Sequence, residues 1–214
     1  MDFSLPRVEI ESLAGALSPE QATLLESYGR AVLEASSRVN LISRKSLSSM
    51  PEHLIDSAAL LAFSDPADGV VADLGTGAGL PGMVVAILRP EVRVALVEAR
   101  RSKVVFLKDA QRRLGLSNVE VLHERIEDIA GKRDFPYVTA RALGDVEAVL
   151  PGCLRLVSPG GRLVLFKGPG WADEVSTAEA TAAREGAEIA RTETVRLPGL
   201  DRSTTFVEFH VKQT

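Results

Sequence analysis

From about residue 70 onward, short runs of β-branched and apolar residues alternate with segments long enough to form helices. The runs are VVADL (70–74), VRVALVE (92–98), VEVLH (119–123), YVTARA (137–142) and RLVLFKG (162–168). Strands that alternate with helices are joined by right-handed crossovers, so the strands lie parallel in one sheet that is covered by helices. This pattern predicts a doubly wound α/β sheet.

Two further runs follow, IARTETVRL (189–197) and TTFVEFHV (204–211), and only PGLDRS lies between them. That connection is too short for a crossover, because parallel neighbours need roughly a dozen residues between them. The two runs should therefore pair antiparallel. We expect a mostly parallel, Rossmann-like sheet of seven strands that ends in an antiparallel hairpin.

The chain before the first strand is predicted to be helical. Ser18 is a favourable N-cap and Pro19 a favourable first residue for an amphipathic helix. A second helical pattern follows at SMPEHLIDSAALLAF (49–63). We therefore expect an N-terminal helical section over residues 1–66, packed on a Rossmann-like domain over residues 67–214.

Composition limits the class of protein. Hydrophobic residues make up 45% and charged residues 25% of the 214-residue chain, and no apolar run approaches the roughly 18 residues of a membrane span. The first residues lack the basic and apolar regions of a signal peptide, so we expect a cytoplasmic protein with no membrane partner. Cys153 is the one cysteine, which excludes an internal disulfide and a cysteine metal cluster. We expect it to be a buried apolar group, although a reactive thiol stays open, and we expect no metal site.

The most informative short stretch is VVADLGTGAGLPG (70–82), where glycines follow the first strand. Its end, GAGLPG, fits the pattern G-x-G-x-x-G, and Glu98 follows about 20 residues later, where a ribose-binding acid belongs. Alone this signal is weak, because a tight turn without a ligand also uses glycines. Asp73 adds a carboxylate that would repel a pyrophosphate but suits a ligand with an ammonium and a sulfonium. S-adenosylmethionine therefore fits better than NAD.

Several motifs in order and spacing carry a resemblance to a known family. They are RVNLIS (38–43), EHLIDS (52–57), DLGTGAGLPG (73–82), RSKVVFLKDAQRRLGLSNVEVLHERIED (101–128), VTARAL (138–143) and LVSPGGRLVLFKG (156–168). Together they resemble the glucose-inhibited division protein B family, whose members methylate N7 of a guanosine in bacterial small-subunit ribosomal RNA. The resemblance implies a class I S-adenosylmethionine-dependent methyltransferase fold. It also implies 16S ribosomal RNA or the small ribosomal subunit as partner, and we expect a monomer.

The resemblance, together with the charge argument for Asp73, indicates which residues contact S-adenosylmethionine. They are Asp73, Gly75, Gly77, Gly79, Leu80, Glu98, Ala99, Arg100, Ile126, Glu127 and Arg141. Simpler interpretations stay open for three of them. Glu98 could be a solvated acid, Glu127 could belong only to a first helical turn, and Arg141 could form a structural ion pair.

The resemblance also indicates residues on the substrate side, namely Asn40, His53, Lys167 and Arg202, with Asp56 at a matching family position. A structural role for His53 stays open, because a lone helical histidine is more often structural than catalytic. Extra residues before the last strand leave the equivalence of Arg202 in doubt. Trp171 could stack on a base, although capping the core is the simpler role.

Basic residues form short runs that could track phosphates if several of them share one face. The runs are Arg44 and Lys45; Arg100, Arg101 and Lys103; Arg112 and Arg113; and Lys132 and Arg133. Each run alone is usually a solvated face, and the net charge of −4 argues against uniform wrapping of nucleic acid.

No general base is expected, because guanine N7 has a lone pair and no proton to remove. TARAL (139–143) stands where amino-group methyltransferases have an Asp-Pro-Pro-Tyr type motif. Two other functions stay open at this point. One is a methyltransferase of the same fold that acts on a small molecule or protein, and the other is an NAD-binding regulatory module without chemistry.

Overall fold

The computed structural model describes residues 3–43, 47–66, 69–142, 144–168 and 170–213. Its seven strands form one sheet in the order β3-β2-β1-β4-β5-β7-β6. The strands are β1 (Val70–Leu74), β2 (Arg93–Val97), β3 (Val119–Leu122), β4 (Phe135–Arg141), β5 (Val157–Lys167), β6 (Ala187–Arg196) and β7 (Ser203–Val211). The helices are α1 (Arg7–Ala14), α2 (Pro19–Ser36), α3 (Met50–Phe63), α4 (Gly82–Leu88), α5 (Arg101–Leu114), α6 (Ile126–Ile129), α7 (Val146–Leu154) and α8 (Trp171–Arg184).

The strand directions confirm the predicted sheet. Strands β1 to β5 pair in parallel, whereas β7 is antiparallel to both β5 and β6. The chain order reverses beside β1, which lies between β2 and β4. In doubly wound sheets ligands bind at this reversal, outside the carboxyl ends of the strands. The end of β1 is therefore where a site is expected.

Both helices predicted before the first strand are present. The Ser18 hydroxyl accepts from the Gln21 backbone N–H, and the Gln21 side chain accepts from the Ser18 N–H, a reciprocal cap that fixes the start of α2. The Gln21 amide also donates to the Leu88 carbonyl at 3.1 Å, which ties α2 to α4. An additional helix, α1, was not singled out from sequence. Ile10 is its one buried residue, so its apolar pattern is weak.

The core has two halves, one on each face of the sheet. Successive strand residues point to opposite faces, so Val71 packs in one half with residues of the first five helices, while Ala72 packs in the other with α7 and α8. Cys153 is buried in the second half, and burial raises its pKa to about 12. This confirms its expected apolar role. Trp171 is buried beside it, as its core-capping interpretation requires.

The first three helices share a continuous apolar cluster with α4, α5 and the sheet. The boundary between residues 66 and 67 stays a prediction, since residues 67 and 68 lie outside the described ranges. Among the helices of the described ranges, none is both long and apolar enough to cross a membrane.

Candidate active site

A cavity of about 280 Å³ opens at the carboxyl ends of β1 and β4, where the strand order reverses. The loop between β1 and α4, here called the glycine loop (residues 75–81), forms one wall, and α3 and the segment after α2 form the opposite wall. The lining residues are Leu41, Ile42, Ser43, His53, Gly75, Thr76, Gly77, Ala78, Leu80, Lys103, Arg141 and Ala142. Five of the sequence-predicted site residues, namely Gly75, Gly77, Leu80, His53 and Arg141, therefore share this cavity.

Asp73 holds the glycine loop from below. Its Oδ2 accepts from the Thr76 hydroxyl at 2.5 Å and from the Gly82 N–H at 2.8 Å. The side chain is fully buried, and among the described residues its Oδ1 has no hydrogen-bond partner. Burial raises the pKa of Asp73 to about 7, although the Thr76 and Gly82 hydrogen bonds oppose that rise. The carboxyl group therefore changes charge near neutral pH.

Glu98 holds the same loop from the side of β2. Its Oε2 accepts from the Gly77 N–H at 3.1 Å, and its Oε1 accepts from the Arg100 N–H at 2.8 Å. The residue is 6% exposed, which excludes the solvated-acid interpretation. Each carboxylate oxygen can accept a second hydrogen bond, so a ligand diol still finds acceptors there.

Helix α2 also contacts the glycine loop. The buried Tyr28 hydroxyl donates to the Ala78 carbonyl at 2.9 Å, which joins α2 to the loop. Gly79, with φ of +102°, lies against Tyr28, Met83 and Leu107, and a Cβ at this position would be 2.6 Å from Met83 Cγ. The loop conformation thus depends on glycine here, because neither the backbone angle nor the space accepts a side chain.

A buried ion pair joins α3 to the end of β4. Arg141 Nη2 lies 3.1 Å from Asp56 Oδ2, with side-chain exposures of 17% and 7%. The Thr204 hydroxyl of β7 donates to the other Asp56 oxygen, and Arg141 lies over the Phe166 ring. The ion-pair interpretation of Arg141 is therefore confirmed. Arg141 also lines the cavity, and its contact with S-adenosylmethionine stays a prediction.

His53 belongs to this cluster. Arg141 Nη2 lies 2.8 Å from His53 Nδ1, and since a guanidinium only donates, Nδ1 accepts and the ring proton sits on Nε2. Burial and the Arg141 charge lower the pKa of His53 to about 4. The imidazole is therefore neutral at physiological pH, held by Arg141 at one nitrogen.

Sequence reasoning missed several groups of the cavity. Thr76 and Lys103 both line it, and the Lys103 ammonium lies 3.5 Å from where a Cβ on Gly77 would be. Lys103 had been noted only as one of a basic run. Lys103 lies in the first turn of α5, which follows the strand end that carries Glu98. Because that turn faces the glycine loop, this position in the sequence could have indicated that Lys103 lines the cavity.

Other predicted residues lie beside the cavity. Ala99 and Arg100 are exposed at the start of α5, and Ile126 and Glu127 begin α6 beyond β3. Ile126 also lies under α7, since a Cβ on Gly152 would be 3.3 Å from its Cγ2. Asn40 is exposed and immediately precedes the lining residue Leu41.

Two predicted substrate-side residues lie at different places. Arg202 pairs with Glu52 of α3 at 3.4 Å, one residue before His53. Lys167 lies in a separate cavity beyond β4, paired with Glu174 of α8. The four substrate-side predictions therefore do not form one cluster.

The basic runs do not all lie on one surface. Arg112 and Arg113 of α5 both pair with Asp109, and with Arg38 at the end of α2 they line one groove. Arg133 instead pairs with Glu120 on β3. The run of Arg44 and Lys45 lies outside the described residues.

A comparison with protein-family models identifies the family of this chain. The model of GidB, described as rRNA small subunit methyltransferase G, matches residues 21–203. The chain belongs to the GidB family. The match includes the glycine loop, Glu98, Arg141 with its partners Asp56 and His53, and Lys167, whereas α1 precedes it and Thr204 follows it.

Named relatives of this GidB chain agree with that assignment. Proteins called ribosomal RNA small subunit methyltransferase G are 37% identical in Moorella thermoacetica over 76% of this chain and 70% of that protein, and 33% identical in Lactobacillus helveticus over 89% and 83%. The protein of that name from Nocardioides sp. is 46% identical over 63% of this chain, which spans 53% of that protein.

Solved structures show the same fold as this GidB chain at low identity. A magnesium protoporphyrin IX methyltransferase from Synechocystis, solved with bound SAM, matches with a TM-score of 0.60 at 15% identity over 92% of this chain and 99% of that one. A methyltransferase from Pyrococcus furiosus matches with a TM-score of 0.63 at 14% identity over 86% and 95%. The predicted class I methyltransferase fold is confirmed.

Proposed function

We propose that this chain transfers a methyl group from S-adenosylmethionine to N7 of a guanosine in bacterial 16S ribosomal RNA. Membership of the GidB family is the observation that carries the proposal. The same membership disfavours an NAD-binding regulator and a methyltransferase for small molecules or proteins.

The residues of the glycine-loop cavity fit S-adenosylmethionine. Glu98 offers acceptors for the ribose hydroxyls, and the positive-φ glycines let the backbone approach a ligand closely. Lys103 offers a cation for the carboxylate of the amino-acid part. Asp73, whose Oδ1 lacks a hydrogen-bond partner among the described residues, offers negative charge below the loop for a sulfonium. When bound, S-adenosylmethionine supplies an electrophilic methyl group.

The chain's own part in the reaction is positioning. Guanine N7 presents a lone pair and no proton, so no side chain needs to act as a base. His53 is neutral and engaged by Arg141, which fits a fixed wall of the site. Arg141 of β4 and Thr204 of β7 both bind Asp56, so both strands are joined to α3 beside His53.

Methyl transfer to ribosomal particles tests the proposal. Purified protein and tritiated S-adenosylmethionine are incubated with small subunits from cells that lack the protein, and the labelled nucleoside is identified after digestion. We expect 7-methylguanosine at one position of 16S ribosomal RNA. Label in protein, in another nucleoside or in no product would reject the proposal.

The Glu98→Ala variant is expected to bind S-adenosylhomocysteine more weakly by roughly 1.5–3 kcal/mol, the range for hydrogen bonds to a charged group. The loss has two sources, because Glu98 would both accept from the ribose and hold the Gly77 N–H. Calorimetry measures it, with Glu91→Ala, an exposed acid in the turn before β2, as the control. An unchanged affinity in a folded Glu98→Ala variant would remove Glu98 from the site.

The affinity for S-adenosylmethionine is expected to rise relative to that for S-adenosylhomocysteine as the pH increases through about 7. The pKa of Asp73 is about 7, so the carboxyl becomes negative over this interval, and only S-adenosylmethionine carries the sulfonium charge. Between pH 6 and 8 we expect the ratio to increase on the order of tenfold. Asp73→Asn should flatten the curve, and a ratio independent of pH in the unmodified protein would show that Asp73 does not sense the ligand charge.

A further inference from the structure

A second cavity of about 350 Å³ lies beside the glycine-loop cavity, at the carboxyl ends of β4 and β5. Apart from Lys167 and Glu174, its lining residues are glycines or carry apolar side chains. Its lining includes Ala142, Val146, Val149, Leu165, Lys167 and Glu174. A cavity of this volume, lined by small and apolar residues around one pair of charged side chains, suits a heterocycle.

The two cavities meet at Ala142, which lines both of them. Ala142 has a φ of +55°, and it is the one residue other than glycine with a positive φ among the described residues. Such backbone is energetically unfavourable for residues other than glycine and is concentrated at functional sites. A molecule in the second cavity would therefore lie next to the methyl-donor cavity.

Lys167 and Glu174 form a partly buried donor and acceptor pair on the wall. Their charged atoms are 2.6 Å apart, and the Lys167 side chain is only 11% exposed. Lys167 also lies 5.6 Å from the centre of the Trp171 ring, which restricts it further. Glu174, at 34% side-chain exposure, keeps oxygen lone pairs available. The wall thus presents a positive donor directly beside a negative acceptor.

This arrangement disfavours a phosphate as the occupant. An anion would gain from the Lys167 ammonium but would be repelled by the Glu174 carboxylate beside it. A neutral ring that carries an acceptor next to donors has no such conflict. The Watson–Crick edge of guanine has this order, with O6 as acceptor followed by N1–H and N2–H as donors.

We propose that the second cavity is the acceptor pocket, in which Lys167 donates to guanine O6 and Glu174 accepts from N1–H and N2–H. This rests on the proposed function and adds the residues that select the base. Adenine presents a donor at N6 and an acceptor at N1, so both contacts would be reversed. N7 takes part in neither contact and stays available for methylation.

NMR chemical shifts of the protein's own methyl groups test the pocket without any methyl transfer. The protein, saturated with S-adenosylhomocysteine, is titrated into the millimolar range with guanosine 5′-monophosphate or adenosine 5′-monophosphate. We expect the guanine nucleotide to shift the methyl resonances of Val146, Val149 and Leu165, and Glu174→Gln to reduce this response. Equal responses to both nucleotides, or none to the guanine nucleotide, would overturn the pocket assignment even if 16S ribosomal RNA is methylated.

Single-turnover methylation of small subunits supplies the second test. With saturating cofactor, Lys167→Met and Glu174→Gln should each slow the step about 10- to 100-fold, as expected for hydrogen bonds that read a base edge. Their affinity for S-adenosylhomocysteine should not change. Lys212→Met and Glu188→Gln are the matched controls and should keep the full rate, because Glu188 of β6 and Lys212, directly after β7, form an exposed pair at 3.6 Å.

A charge swap separates base reading from a structural ion pair. Lys167→Glu combined with Glu174→Lys keeps an ion pair between β5 and α8 but exchanges donor and acceptor. We expect normal thermal stability and no recovery of rate. Recovery of the rate by the swap, or unimpaired rates in both single variants, would reduce the pair to a structural role. Absence of methyl transfer by the unmodified protein would instead reject the proposed function, while the nucleotide titration would still decide the pocket.

Discussion

Gly79→Ala is expected to lower the free energy of unfolding by about 2–4 kcal/mol and to weaken S-adenosylhomocysteine binding about tenfold or more. Two costs add at this position. The backbone has a φ of +102°, and the new Cβ would lie 2.6 Å from Met83 Cγ and 3.0 Å from Tyr28 Oη. Both neighbours are fully buried, so the loop must move, and it carries Gly77 and Ala78 of the cavity with it.

Urea unfolding and calorimetry measure the two effects, and Gly15→Ala is the matched control. Gly15 has a φ of +89° but nothing within 4 Å of an added Cβ. It therefore experiences the backbone strain without the collision and lies at the end of α1, away from the cavity. If Gly15→Ala costs as much stability as Gly79→Ala, close packing under the loop is not the cause.

Arg141→Met is expected to lower the free energy of unfolding by about 3 kcal/mol, because removing one partner of a buried ion pair leaves the other charge uncompensated. Asp56 would keep only the Thr204 hydroxyl as a partner in the contacts described. The pKa of His53 should rise toward its ordinary value, since the Arg141 charge is one of the causes that lower it. Thermal unfolding and the His53 titration followed by NMR measure these changes.

The exposed pair of Arg133 and Glu120, at 2.8 Å, is the comparison for this variant. Arg133→Met should change stability by less than about 1 kcal/mol, as surface ion pairs usually do. Adding Asp56→Asn to Arg141→Met should restore part of the loss, since no buried charge is then left unpaired. A loss of the same size for Arg133→Met, or no rescue in the double variant, would contradict this account of the cluster.

The fold was predictable because each of its signals is local in sequence. The run Val70–Leu74 was predicted with the bounds that the strand has, and the short PGLDRS connection required the antiparallel pair. The start of α2 at Pro19 followed from the Ser18 cap. In contrast, α1 has one buried residue, so the spacing of apolar residues did not predict this helix.

The site was predictable only where a motif fixes backbone geometry. The glycine loop and Glu98 lie together because a strand end and the next strand end are neighbours in a parallel sheet. The alternation of side chains along a strand does not indicate how deeply a residue near the strand end is buried. Asp73 was therefore expected in the pocket, but it lies buried beneath the glycine loop. The link from His53 to Arg141 spans 88 positions in the chain and depends on how α3 packs, which no local pattern encodes.

The position of β7 has a consequence for how the chain is made. β7 is last of the strands in sequence but lies between β5 and β6, so during synthesis β6 has no strand partner and β5 keeps an open edge until residues 203–211 have left the ribosome. An open edge pairs readily with other chains. Thr204 of the same strand donates to Asp56, so the Asp56 carboxylate lacks this hydrogen bond until β7 has formed. Protection of the β5 edge and completion of the hydrogen bonds to Asp56 therefore depend on the same strand, β7.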